Sequence, residues 1–477
     1  MNFGRTAVST TLAFALVACG GGGSAPPTNN NPAPPPTSSP APSACSIANQ
    51  LDFADAVLDE WYLFPNLLDN TVSRDGISDV QTYLNARVAP ARAQNRDRGF
   101  TFATSIAEEN ALISSGSSAG FGIRLAYDTV NNRVFLLEAF ENGNGFGAGM
   151  DRGTELLAIG TDTNNLQTVS SLMAAGGPQS VVNALGPSDA GVTRVLRFAQ
   201  AGGAVIEQAI AKSDFSLDPI SDRYGALVLN DGGKKVGYIN LRTFIVSDAA
   251  DQLRAAFAQF GTEGVTELII DFRYNGGGLV SVADTFGDLM GSGRISQIWS
   301  ETILRASKSE ENSTRRFETE PNAIQPTKIA FIGRRSSASA SELVMNAMIP
   351  YVDPANIALI GENTSGKPVG QFGFDLDACD LRVRAVTFQT VNADGRGEYF
   401  SGMASEMPNT CLANDDIFNP LGSASEASIS TALDFLAGRS CTAISGGTGQ
   451  TTQSVGGREV LQPERPNAAQ YEIPGLF

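Results

Sequence analysis

The strongest constraint on the fold is a rhythm in the second half of the chain. Short β-type apolar runs at Lys235–Ile239, Glu267–Phe272, Lys328–Ile332 and Ile357–Ile360 alternate with helical patterns at Ser247–Phe260, Val280–Met290 and Ser341–Ile349. Strands interleaved with helices can cover one another's apolar faces, which argues an α/β core. Asp218-Pro219-Ile220 reads as the hinge into this region. At 477 residues the chain has room for about two to four domains, so the core has company upstream.

Nearer the amino terminus, Ile47, Leu51, Ala54, Leu58 and Trp61 recur at three- and four-residue steps and mark one face of a helix that Pro65 ends. A second helix is expected after Ser78, with Val80, Tyr83, Leu84 and Arg87, and a third over about Ser105–Ile113. Residues 45–112 therefore read as a small helical layer that serves packing. From Gly120 the texture turns to β: Phe121-Gly122-Ile123-Arg124-Leu125 and Arg133–Leu137 are short strands separated by Asp128–Asn132. Beyond Cys441 the composition is Gly, Thr, Gln and Ser, and residues 442–477 are expected to be a flexible tail.

The first residues read as an address. One positive charge in Met1–Arg5 precedes the apolar run Thr6–Ala18, a signal-peptide pattern too short to span a bilayer comfortably. Residues 20–44 are Gly, Pro and Ser-rich and read as a solvated linker. Cys45, Cys379, Cys411 and Cys441 form an even set in an exported chain, where disulfides persist. Four cysteines allow three pairings; Cys379 with Cys411 and Cys45 with Cys441 is the expected one.

Two further numbers exclude chemistry. The chain has no histidine, which forbids Ser-His-Asp and Cys-His catalysis, and without C-x-x-C spacing no zinc site is expected. Its net charge of −17 removes the broad positive field of a phosphate-backbone binder, so nucleic acid is not an expected partner. What remains is a set of three strand-end loops. Asp271-Phe272-Arg273-Tyr274-Asn275-Gly276-Gly277-Gly278 ends in a glycine run whose backbone N–H groups can approach a ligand closely; alone it is a tight turn. Ser336-Ser337-Ala338-Ser339-Ala340-Ser341-Glu342 leads into a helix, where unpaired N–H groups favour negative charge; alone it is an N-cap. Thr364-Ser365-Gly366-Lys367-Pro368-Val369-Gly370-Gln371 holds one of only six lysines, just past an apolar strand, where burial would depress its pKa; the bland alternative is a surface lysine. Gly116-Ser117-Ser118-Ala119-Gly120 matches G-x-S-x-G but has neither a preceding apolar strand nor a histidine to serve it. No S-x-x-K occurs, which disfavours the penicillin-binding class.

Together and in this order, the three loops resemble those of the carboxyl-terminal processing (tail-specific) serine proteases. The segment over about residues 113–215, with its Gly-Phe-Gly-Ile loop and the strand after Gly153, resembles the PDZ domain that lies upstream in that family. The resemblance implies an α/β protease core of the ClpP/crotonase-like type at 216–441, a β-rich PDZ-like domain and a small N-terminal helical layer. It implies Ser339 as nucleophile, Lys367 as base and Gln371 as the group orienting the lysine, with the N–H groups of Ala340 and Gly277 as the oxyanion hole. It also implies Gly120, Phe121, Gly122 and Ile123 as a peptide-binding loop, with no cofactor. Gly276 departs from the family's proline, and the spacing from Ser339 to Lys367 is a few residues long; neither removes a catalytic atom. Leu16-Val17-Ala18-Cys19 resembles the lipobox of bacterial lipoproteins, implying lipidation at Cys19 and a cell-envelope location, at the periplasmic face of the outer membrane.

The expectation is thus a membrane-anchored serine endopeptidase acting on protein or peptide substrates near their carboxyl ends, its oligomeric state left open. The rival is a non-catalytic peptide-binding lipoprotein that uses only the PDZ-like groove; a paired-carboxylate glycosidase has no identifiable acid pair. Glu342, one turn into its helix, is expected to complement the helix dipole rather than join the reaction. The apolar segment Glu472-Ile473-Pro474-Gly475-Leu476-Phe477 is expected to be able to enter the PDZ-like groove or the active site and restrain activity.

Overall fold

The expected alternation is realised as a six-stranded sheet, in a computed structural model that describes residues 45–445 and 457–477. The order is Ala226–Asp231, Lys234–Asn240, Glu267–Asp271, Lys328–Gly333, Ile357–Gly361, Asn409–Leu412. The first two strands form an antiparallel hairpin and all later neighbours are parallel. A strand's side chains alternate between faces, and the sequence fills both faces with apolar groups. Leu268, Ile270, Ile329, Phe331, Ile357 and Leu359 point into one cluster with the helices Ala249–Glu263, Val280–Leu289 and Ala340–Met348. Ile269, Ala330, Ile332, Ala358 and Ile360 point into the opposite cluster, under the helix Ala427–Leu436. Each such fully buried large aliphatic side chain contributes about 1.5–3 kcal/mol.

A second sheet runs Phe102–Ser105, Leu381–Val391, Ile298–Leu304, Ser313–Arg316, with Val369–Leu376 also paired to Leu381–Val391. The helices Ile47–Trp61 and Val80–Arg87 form where their periodicity placed them, each capped by a side chain, Ser46 and Asp79. They bury Leu51, Leu58, Tyr83 and Leu84 against Val369, Val383, Ala385 and Val386 of this sheet. Residues 45–112 are thus not a purely helical layer: the strand Phe102–Ser105 lies within them and pairs with Leu381–Val391, far along the chain.

The β-rich region is a separate antiparallel sheet, Ile123–Asp128, Arg133–Ala139, Glu155–Gly160, Thr193–Ala199, Val205–Ala211, over which the kinked helix Val169–Leu185 packs Val169, Leu172, Val181 and Leu185. A buried charge cluster ties it to the core. Glu138 accepts from Arg124 at 2.9 Å, from Arg242 at 2.6 Å and from the Tyr224 hydroxyl at 2.5 Å. Removing one partner of such a set leaves a buried charge uncompensated, a cost of about 3–5 kcal/mol.

Two expectations are corrected. The disulfides are Cys45–Cys379 and Cys411–Cys441. Helix Ile47–Trp61 packs on the strand that follows Cys379, and Cys441 follows the helix that covers the strand Asn409–Leu412, so each pair is set by packing. Residues 457–477 are not a flexible tail: Glu459–Val460 pairs with Ile123–Asp128, Ala468–Glu472 is helical, and Ile473, Leu476 and Phe477 are buried. The signal segment 1–19 with Cys19, and the linker 20–44, lie outside the described residues. Among the described residues no helix is long and apolar enough to cross a membrane.

Candidate active site

Three adjacent parallel strands, Glu267–Asp271, Lys328–Gly333 and Ile357–Gly361, deliver the three loops to one end of the sheet. Loops at the carboxyl ends of parallel strands are where α/β folds place ligands. The serine strand lies in the middle, so its loop is flanked by the glycine turn on one side and the lysine loop on the other.

Ser339 is the N-cap of helix Ala340–Met348 and sits at φ 55°, ψ −116°, in the left-handed half of the backbone map that a residue with a Cβ rarely occupies. Such strain costs about 1–3 kcal/mol and persists only where neighbours hold it. Here the Ala338 N–H donates to the Asn275 carbonyl at 3.1 Å, the Ser341 hydroxyl to the same carbonyl at 3.1 Å, and the Ser337 hydroxyl to the Phe272 carbonyl at 2.7 Å. Every one of these links the serine loop to the glycine turn. Ala340, as the first helical residue, presents an N–H with no intrahelical acceptor.

The glycine turn must be glycine. At Gly277, φ 115°, a Cβ would lie 2.7 Å from the Ser339 Cβ, and at Gly278, φ 132°, it would lie 2.2 Å from the Ile245 nitrogen. Gly277 is therefore beside the serine, but its N–H donates to Asn275 Oδ1 at 2.9 Å. An oxyanion role requires that amide to let go.

Glu342 is fully buried and joins the serine and lysine loops. Its carboxylate accepts from the Ser339 N–H at 3.1 Å, the Lys367 N–H at 2.7 Å, the Gly366 N–H at 2.6 Å and the Thr364 hydroxyl at 2.5 Å. The sequence pointed only to complementing the helix dipole, but Glu342 does more: Ser339 and Lys367 hang from the same oxygen. Capping-box spacing, serine to glutamate three residues on, is the signal in the sequence that points to it.

Lys367 is buried, and burial holds its amine below the ordinary lysine value. Glu472, Asp97 and Glu342 pull it back up, while Arg384 adds to the depression. Its Nζ lies 5.3 Å from the centre of the Phe100 ring. Gln371, on the next strand, donates its amide to the Phe100 carbonyl at 2.7 Å, so the two residues meet the same phenylalanine. Arg98 donates to the carbonyls of Ser365 and Gly366 at 2.5 and 2.6 Å, gripping the lysine loop from the N-terminal region. Arg98 and Phe100 belong to a stretch that the sequence reading assigned to packing; no local motif marks them, and only the fold brings them to Lys367.

The four residues expected to bind peptide divide. Gly120 and Ile123 meet Phe477 of the same chain: a Cβ at Gly120 would lie 2.8 Å from its carbonyl carbon, and the Ile123 N–H donates to its oxygen at 3.1 Å. Phe121 is buried in the domain core, with the Lys212 ammonium 5.0 Å from its ring centre, and Gly122, φ 71°, packs on Gly143. Ser117 and Ser118 of the G-x-S-x-G sequence lie in the strand Ser117–Gly120, paired with Ser213–Ser216. No group of side chains suited to a metal ion occurs among the described residues.

Comparison with known proteins agrees with this arrangement. Residues 235–405 match the model of peptidase family S41, a span holding all three loops. A chloroplastic C-terminal processing peptidase of Tetradesmus obliquus is 26% identical over 293 residues, 58% of this chain and 57% of that protein. The chloroplastic carboxyl-terminal-processing peptidase 3 of Arabidopsis thaliana is 25% identical over 261 residues, 53% of this chain and 46% of that protein. The chain thus spans about half the length of these curated relatives. The crystal structure of a Bacteroides fragilis protein assigned to the S41 proteases superposes with a TM-score of 0.63 at 21% identity, covering 81% of this chain and 97% of that one, which fixes the shared fold. Residues 235–405, which carry the alternating core strands and the three loops, thus match peptidase family S41, and over about half its length the chain is homologous to C-terminal processing peptidases.

Proposed function

We propose that this chain is a serine endopeptidase with a Ser339–Lys367 dyad. The observation that carries the reading is the fastening of a strained, part-exposed serine and a buried lysine to one carboxylate, that of Glu342. The neutral amine of Lys367 takes the Ser339 hydroxyl proton as the oxygen attacks a peptide carbonyl, and the charge developing on that carbonyl meets the N–H groups of Ala340 and, once freed from Asn275, Gly277. The C–N bond breaks as the ammonium returns its proton to the leaving amine. A water, deprotonated by the same lysine, then cleaves the ester and restores the hydroxyl. Gln371 positions the lysine through the Phe100 wall without bringing a charge that would raise its pKa.

The β-rich domain, read as PDZ-like, receives extended polypeptide as an added strand on Ile123–Asp128, which favours cleavage near substrate carboxyl ends. The lipobox-like Cys19 supports anchoring to the cell envelope, facing the periplasm. Ser339→Ala and Lys367→Ala are each expected to cut peptide hydrolysis at least about 10³-fold, with circular dichroism unchanged. A serine-directed acylating probe should label the parent and neither variant. Full turnover by Ser339→Ala refutes the dyad, and a parent chain that binds peptide but neither hydrolyses it nor takes the probe leaves the peptide-binding lipoprotein.

A further inference from the structure

We infer that residues 468–477 are a built-in plug, filling the peptide-receiving edge of the β-rich domain and closing over the active-site glycine turn at the same time. The inference uses the peptidase reading for what the plug blocks, and the groove it fills stands without that reading.

The first half of the argument is backbone pairing. The Phe477 N–H donates to the Ile123 carbonyl at 2.8 Å, the Ile123 N–H to the Phe477 oxygen at 3.1 Å, and the Leu125 N–H to the Gly475 carbonyl at 2.9 Å. Arg124 and Leu476 lie opposite each other in an antiparallel bridge. These are the groups that an incoming peptide strand would need. The Phe477 side chain joins the apolar cluster of Phe121, Ile123, Val169 and Leu172, between that strand and helix Val169–Leu185.

The second half is at the glycine turn. A Cβ on Gly276 would lie 2.7 Å from the Glu472 carbonyl oxygen and 3.2 Å from Pro474 Cδ, so the segment rests directly on the residue next to Gly277, itself against Ser339. Between the two sites the segment is pinned. Asn467 and Gln470 cap each other, Gln470 Nε2 donates to the Leu476 carbonyl at 2.7 Å, Tyr471 stacks on Phe102 at 3.7 Å, and Ile473 is buried with Phe140, Phe215 and Ile245. A substrate strand therefore has to displace this one, and its apparent affinity falls by the fraction of molecules in which the plug is out.

The test compares the intact chain with one truncated after Pro466 and with Phe477→Asp, whose folding circular dichroism checks. A fluorescent peptide of residues 468–477 is titrated into each on a Ser339→Ala background, and hydrolysis of an unfolded protein substrate is followed with Ser339 present. At least tenfold tighter peptide binding and at least tenfold faster hydrolysis are expected once the plug is removed or charged, with added peptide slowing the truncated enzyme again. Equal peptide binding by all three chains overturns the plug. Binding that tightens while none of the chains hydrolyses substrate keeps the plug and removes the peptidase reading.

Discussion

Glu342 takes four donors from two loops, and this single carboxylate fixes how the serine and lysine backbones face each other. Burial pushes its carboxyl above the ordinary value against the pull of those hydrogen bonds. Glu342→Gln replaces one acceptor oxygen by a donor that confronts N–H groups. The expected result is a fall in kcat of about 10²-fold with KM nearly unchanged, and a stability loss of about 1–3 kcal/mol in denaturant melts. In the proposed dyad the active form of Lys367 is the neutral amine, so kcat/KM is expected to rise with pH through the lysine's titration. Burial brings that limb below the ordinary lysine value; Glu472, Asp97 and Glu342 hold it up and Arg384 pushes it down. Glu472→Gln is expected to move the limb to lower pH, read from its midpoint rather than its height. The same sign governs stability. Between the depressed and the ordinary value the unfolded chain binds the extra proton, so acidification through that window destabilises the fold.

Among elements, the loop Asp97–Phe100 reaches both the helical layer and the lysine loop. Asp97 accepts from the Tyr62 hydroxyl and from the N–H groups of Phe100 and Thr101, so the loop is anchored in the helical layer while Arg98 and Phe100 face the lysine loop. Arg98→Ala removes two hydrogen bonds from a charged donor, partly exposed to solvent. The expected cost is about 1 kcal/mol in stability but about tenfold in kcat, because the loop bearing Lys367 loses its outer support. Stopped-flow hydrolysis alongside thermal melts separates the two effects.

For the molecule as a whole, the two disulfides differ most in the chain they close. Cys45–Cys379 spans 334 residues and Cys411–Cys441 spans 30. In the chain-entropy account the longer loop restrains the unfolded state by about 2 kcal/mol more. Serine replacement of Cys45 with Cys379 is therefore expected to lower the denaturation midpoint further than replacement of Cys411 with Cys441, under oxidising conditions. The longer bridge also joins the start of the helical layer to the sheet behind Lys367, so its loss is expected to raise hydrogen exchange in Asp97–Phe100.

The local signals determined the elements and the cast of the site. Short apolar runs set the core strands, three- and four-residue periodicity set helices Ile47–Trp61 and Val80–Arg87, and the absence of histidine with few lysines made Lys367 the candidate base. These properties act over a few residues and can be read there. Strand order is a different matter. The serine strand lies between the glycine and lysine strands because parallel pairing and helix packing put it there, and that placement gives Glu342 its second loop. The disulfide partners, the reach of Arg98 and Phe100 to the lysine, and the return of residues 468–477 onto Ile123–Asp128 join positions hundreds of residues apart. Such contacts depend on which apolar surfaces cover each other in three dimensions, and no window of the sequence contains both members of the pair.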